Sequence, residues 1–132
     1  MGLLAIARKP HVGMDVEELL PIEAEIADRY FSERERAVLR ELIGAEWLEG
    51  FYNCWTRKEA ILKAEGVGLN VKLDAFDVTL QPGAPAALLG SQPTAGLTLD
   101  WHLTRLQPGL TFVGALATSS APKRLDCYRF IG

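Results

Sequence analysis

The chain has 132 residues and a formal net charge of −3, with 48% hydrophobic and 23% charged residues. That is one domain by length, too rich in core-forming residues for a disordered or fibrous chain, and its charge speaks against a nucleic-acid-binding protein. No apolar run approaches the ~18 residues that cross a bilayer, and the two cysteines, Cys54 and Cys127, stand far apart. A free buried thiol at Cys54 and a reducing, cytoplasmic compartment are therefore expected.

In chain order, residues 3–7 (LLAIA) read as a buried strand. The opening is too short for a signal peptide, and its basic residues follow the apolar patch, so no flexible leader is expected. Residues 11–17 (HVGMDVE) alternate, with Val12, Met14 and Val16 on one face and Gly13, Asp15 and Glu17 on the other. A helix is expected over 22–30. Ser32 followed by Glu35 forms a capping-box pattern that opens a second helix, with Gly44 as its stop. A third helix runs from Glu46 to Glu65 with Gly66 as C-cap. The stretches AFDVTLQ, LTLDWHLTRL, LTFVGALAT and LDCYRFI are β-like and separated by turns such as QPGAPA and LQPGL. Strands, then helices, then strands, with no repeat and no linker, predict a single α+β domain over residues 1–132 with a mainly antiparallel sheet packed with helices.

The third helix holds the first chemistry-bearing group. On a helical wheel Leu48, Phe51, Tyr52, Trp55 and Leu62 share one stripe, whereas Arg57, Ala64 and Glu65 point elsewhere. Lys58 and Glu59 fall inside the edges of that stripe and Lys63 lies beside it. Buried charges are expensive unless paired or metal-bound, which leaves two readings: a Glu59–Lys63 pair one turn apart, or a polar site cut into the rim of the core. Asp15 and Glu17 form the second group. Residues i and i+2 of a strand project from one face, so these acids are either a solvated edge or ligands for a hard divalent cation such as Mg²⁺. His11 and His102 lack metal-ligand spacing and read as structural. Three carboxylates (Asp15, Glu17, Glu59) and two lysines (Lys58, Lys63) are together the parts of a Mg²⁺–phosphate site.

The blocks VGMDVEEL, YFSERERAVL and FYNCWTRKEAILKAEGVGL resemble, in order and spacing, the signature blocks of 4′-phosphopantetheinyl transferases. The later AFDVTL, WHLTRL and TFVGALA segments resemble that family's C-terminal strands, so the likeness extends over nearly the whole chain. The resemblance implies transfer of the 4′-phosphopantetheine arm of coenzyme A to a serine of an acyl or peptidyl carrier protein. It implies Asp15, Glu17 and Glu59 as Mg²⁺ ligands, and Lys58 and Lys63 as contacts to the pyrophosphate of coenzyme A. Glu59, Lys63 and Asp15 are then the catalytic residues, Glu59 being the first choice for the base that takes the serine proton.

Tryptophan before T-R-K-E-A, and a glutamate two residues after the aspartate, resemble the larger Sfp-like type, which is built from two similar halves. The chain length matches the short trimeric type instead. The expectation is therefore a half-domain corresponding to the second half of the larger type, and a homodimer in which a second copy covers the exposed surface, with a trimer as the other option. A catalytically inactive half-domain that keeps the fold is the alternative reading. Arg34, Arg36 and Arg40 are candidates to steer an acidic carrier, or simply a solvated face interleaved with Glu33, Glu35 and Glu41.

Overall fold

One helix of 22 residues organises the molecule. The computed structural model describes residues 2–5, 12–66, 71–119 and 127–130. In chain order these form β1 (Gly2–Ala5), β2 (Val12–Glu18), α1 (Glu25–Tyr30), α2 (Glu33–Arg40), α3 (Gly44–Glu65), β3 (Phe76–Val78), β4 (Leu88–Ser91), β5 (His102–Leu106), β6 (Phe112–Thr118) and β7 (Cys127–Phe130). Short 3-10 turns stand at Leu73–Ala75 and Pro93–Ala95. Every strand pairing among the described residues is antiparallel. Strands β2, β6 and β5 make a three-stranded sheet with β6 in the middle, β1 pairs with β7, and β3 pairs with β4. This is the α+β architecture expected from the order of the segments.

The capping box forms as expected. Ser32 N–H donates to Glu35 Oε1 at 2.8 Å and Glu35 N–H donates to Ser32 Oγ at 3.2 Å. Helix α2 then ends at Arg40, and Gly44, expected to close it, instead opens α3. Gly66 caps α3, its N–H on the Leu62 carbonyl and its φ of 100° in the region glycine favours. Strand β4 was not expected, because it follows the Q-P-G-A-P-A turn without a clear alternation. Its pairing with β3 shifts register between Asp77 and Val78. Residues 6, 7 and His11, residues 67–70 of the third signature block, and residues 125, 126 and 131 lie outside the described residues.

Helix α3 lies across β2 and β6. Phe51, Cys54, Ala60 and Ile61 on the helix and Val113, Ala115 and Ala117 on β6 belong to one buried cluster. Phe31 and Trp47 stack around Phe51 with ring centroids 5.2 and 5.6 Å away. Each fully buried side chain of this size contributes about 1.5–3 kcal/mol. From another side Phe76, Val78 and Leu80 close over the same helix. The helix is thus buried on more than one face, and a single-stripe wheel misplaces Arg57. Expected to point away from the core, it is 1% exposed. Its Nη1 donates to the Thr79 carbonyl at 2.6 Å, while Nε and Nη2 have no partner among the described residues. Burial lowers its pKa to about 10, with the nearby Arg105 charge adding to the effect.

Candidate functional site

The site is built where α3 crosses β2. In β2 the buried positions are Gly13 and Asp15, whereas Val12, Met14 and Val16 are only half-buried. The acidic face, for which a solvated edge was one reading, is thus turned inward against the helix. Glycine makes this possible. A Cβ at residue 13 would overlap the Ala60 carbonyl oxygen and the Ala64 amide, and would stand 2.9 Å from the Ala64 Cβ. Gly114 lies on the other face of the sheet: opposite Val16 in register, a Cβ there would lie 2.6 Å from the Asp15 carbonyl oxygen, so this glycine serves the fit of β6 to β2. Gly13 lets the helix close on the Asp15 face.

The result is a cluster of three carboxylates and an amine. Lys63 Nζ lies 2.7 Å from Asp15 Oδ1, the lysine side chain 52% exposed and the aspartate 7%. The other carboxylate oxygen of Asp15 is buried without a hydrogen-bond partner among the described residues. Glu17 has its pKa raised by desolvation first, then by the charge of Asp15 and a hydrogen bond shared with it; Glu59 adds to the rise and Lys63 opposes it. Glu59 has its pKa raised by desolvation and then by Asp15, again opposed by Lys63. Burial and the Asp15 charge thus disfavour ionised Glu17 and Glu59, and an additional cation would relieve them. As their side chains stand, no three His, Cys, Asp or Glu among the described residues close a ready metal cage. The donor chemistry suits Mg²⁺ nonetheless, since that ion takes one or two carboxylates and completes its shell with water and substrate phosphate. A buried carboxylate oxygen with no partner is where such an ion would be held.

Of the expected site residues, Asp15, Glu17, Glu59 and Lys63 come together. Lys58 does not. One position before Glu59, it turns about 100° away and is 2% exposed in the interior. Its Nζ sits 2.9 Å from Glu35 Oε1, donates to the carbonyls of Phe76 (2.6 Å) and Leu73, and lies 4.0 Å from the centroid of the Phe76 ring. The expected pyrophosphate contact from Lys58 is corrected accordingly: its amine is committed to tying α3 to α2 and to the β3 strand. Lys63 likewise pairs with Asp15 across the fold; the Glu59–Lys63 helix pair was the other reading.

Two contributors were not singled out. Glu35 was read only as a cap, yet its carboxylate also receives the Val78 N–H at 2.8 Å and balances Lys58. A glutamate in a capping box carries no sequence sign of a distant lysine. Tyr52 was read as part of the apolar stripe, but its hydroxyl donates to the Leu20 carbonyl at 2.8 Å and fastens the segment leaving β2. Burial raises its pKa, and the charge of Glu17 adds to that. His102 is exposed on an edge strand. Arg34, Arg36 and Arg40 stand on α2, which contributes no member of the carboxylate cluster, and Arg34 and Arg36 line an open polar cleft of about 720 Å³ with Asp74, Asp77 and Ser91.

An α+β fold presses an acidic strand against a helix bearing Glu59 and Lys63, the side-chain types that a metal–phosphate site uses. The model of the 4′-phosphopantetheinyl transferase superfamily matches residues 11–115. The chain belongs to that superfamily. It is 42% identical over 69 residues to the 4′-phosphopantetheinyl transferase Sfp of Bacillus subtilis, a match covering 52% of this chain and 31% of that protein. It is 33% identical over 121 residues to the transferase HetI of Nostoc sp., covering 90% of this chain and 48% of that one. The chain thus spans half or less of the length of these relatives. In fold it is similar to the holo-[acyl-carrier-protein] synthase of Thermotoga maritima, with a TM-score of 0.63 and 24% identity over 81% of this chain and 61% of that one. It is also similar to the apo form of the corresponding protein from Chronobacterium ammoniagenes, with a TM-score of 0.59 and 20% identity over 98% of this chain and 100% of that one. No helix among the described residues is long and apolar enough to cross a membrane.

Proposed function

We propose that the chain carries the catalytic carboxylates and lysine of a Mg²⁺-dependent 4′-phosphopantetheinyl transferase, which moves the phosphopantetheine arm of coenzyme A to a serine of an acyl or peptidyl carrier protein. The observation that carries this reading is the convergence of Asp15, Glu17, Glu59 and Lys63, from two of the signature blocks, at one helix–strand crossing. A complex of coenzyme A with a protein of similar fold supports the choice of donor.

Asp15, Glu17 and Glu59 would hold the Mg²⁺, which when bound offsets charge on the pyrophosphate. Lys63, half-exposed, reaches the pyrophosphate oxygens and stabilises the charge that develops on the departing adenosine 3′,5′-bisphosphate. The serine oxygen forms a bond to the phosphorus bearing pantetheine as the bond to that leaving group breaks. The serine proton passes to Glu59, which shares α3 with Lys63. Lys58 serves this reading from behind, through its bond to Glu35, and touches no substrate.

A second copy of the chain, or the remaining part of a longer protein, would supply the other wall. The face of the three-stranded sheet away from α3 bears Val12, Met14 and Val16, half-buried in the single chain. A homodimer is the arrangement we favour, a trimer the other, and the cytoplasm the compartment. The test is to incubate the chain with Mg²⁺, coenzyme A and an apo-carrier protein and weigh the carrier. A gain of one phosphopantetheine supports the transferase. No gain with this chain, but gain with a version extended upstream, makes this chain an inactive half-domain. No gain with either overturns the reading.

A further inference from the structure

The last residue of α3 is a glutamate, at the end of the helix where the macrodipole disfavours negative charge. Glu65 is not balanced there by any cation among the described residues. Its carboxylate instead collects hydrogen bonds from one neighbouring segment. Thr98 N–H donates to Oε2 at 3.0 Å and to Oε1 at 3.2 Å, the Thr98 hydroxyl donates to Oε1 at 2.9 Å, and Trp101 Nε1–H donates to Oε2 at 2.6 Å. Trp101 is 4% exposed and leads into β5. The carboxylate therefore bolts the end of the helix to the chain entering the edge strand of the sheet.

Two residues upstream on the same last turn stands Lys63. Its side chain is half in solvent and its ammonium is held by Asp15 at 2.7 Å, so where the pair meets depends on where the turn carries the Lys63 backbone. On its inner side this turn rests on Gly13 through Ala60 and Ala64. We infer that Glu65, through Thr98 and Trp101, is a positioning residue that holds the last turn of α3 so that Lys63 meets Asp15. The inference rests on the transferase reading for its effect on rate, but not for the clamp itself. Glu65 touches neither Asp15, Glu17 nor Glu59, and it acts only through the helix.

The experiment combines two readouts on the whole 132-residue chain. In Glu65→Ala, amide hydrogen exchange at residues 62–65 should rise about tenfold or more while that of Phe51 and Cys54 in the helix middle stays as it was. In the transfer assay kcat should fall about tenfold, with KM for coenzyme A and for the carrier within about twofold. Glu65→Gln, which keeps one acceptor oxygen for Trp101, should recover part of the loss. Trp101→Phe, which removes the indole donor along with part of the buried ring, should lower kcat less in Glu65→Ala than in the wild-type background. Unchanged exchange at residues 62–65 in Glu65→Ala overturns the clamp, and additive losses for Glu65 and Trp101 overturn its route through the indole. If wild type itself transfers nothing, the functional reading falls while exchange still decides the clamp.

Discussion

Lys58 and Glu59 are neighbours in sequence and have opposite roles because a helix turns about 100° per residue. Lys58 is sealed against Glu35 and two carbonyls. Removing one partner of a buried pair strands the other charge, so Lys58→Ala or Glu35→Ala should each cost about 3–5 kcal/mol in urea unfolding. Replacing both at once with Met and Leu should cost less than the two single changes added together. Glu59 faces the other acids. With its pKa and that of Glu17 raised above 4.5 by burial and by Asp15, the folded chain binds their protons more tightly than the unfolded chain. This contribution to stability is full below the unfolded value and is lost as pH rises through the raised values. Glu59→Gln should therefore abolish transfer yet raise the melting temperature of the metal-free protein at pH 7–8, with the gain shrinking toward pH 4. A lower melting temperature at pH 7 would count against crowding of the acids, and surviving transfer against Glu59 as base and ligand.

At the scale of elements, the contact of α3 with β2 decides whether the site exists. Gly13 faces helix backbone, which cannot step aside as a side-chain tip can. Gly13→Ala should cost about 1–3 kcal/mol or more through overpacking and cut transfer by at least about tenfold, since the helix must lift from Asp15. A folded Gly13→Ala protein with full transfer would show that the close approach is not needed. The helix, its capping signals and the alternation of β2 are all legible in the sequence, because local periodicity and caps encode them. The direction in which β2 faces is not, since alternation separates two faces without saying which one a helix will cover. Arg57 shows the same gap. A wheel finds one apolar stripe, whereas a helix enclosed by β2, β6 and the β3 segment buries further faces, polar residues included.

At the scale of the whole molecule, the chain matches half or less of the length of its curated relatives, while the fold aligns with nearly all of a short synthase. Light scattering at micromolar concentration should give a mass of two or more copies. A monomer that nonetheless transfers phosphopantetheine would refute the need for a second copy.

The order of the blocks, the G-x-D-x-E strand and the K-E-x-x-x-K helix identify the superfamily from sequence alone, because the chemistry demands particular residue types at set local spacings. Asp15, Glu17, Glu59 and Lys63, the residues proposed to carry that chemistry, are singled out by the same spacings. Only the tertiary structure separated Lys58 from that group, gave it to Glu35 twenty-three positions earlier, and turned the acidic face of β2 inward. Those outcomes depend on contacts between distant segments, for which nothing in local spacing is a record.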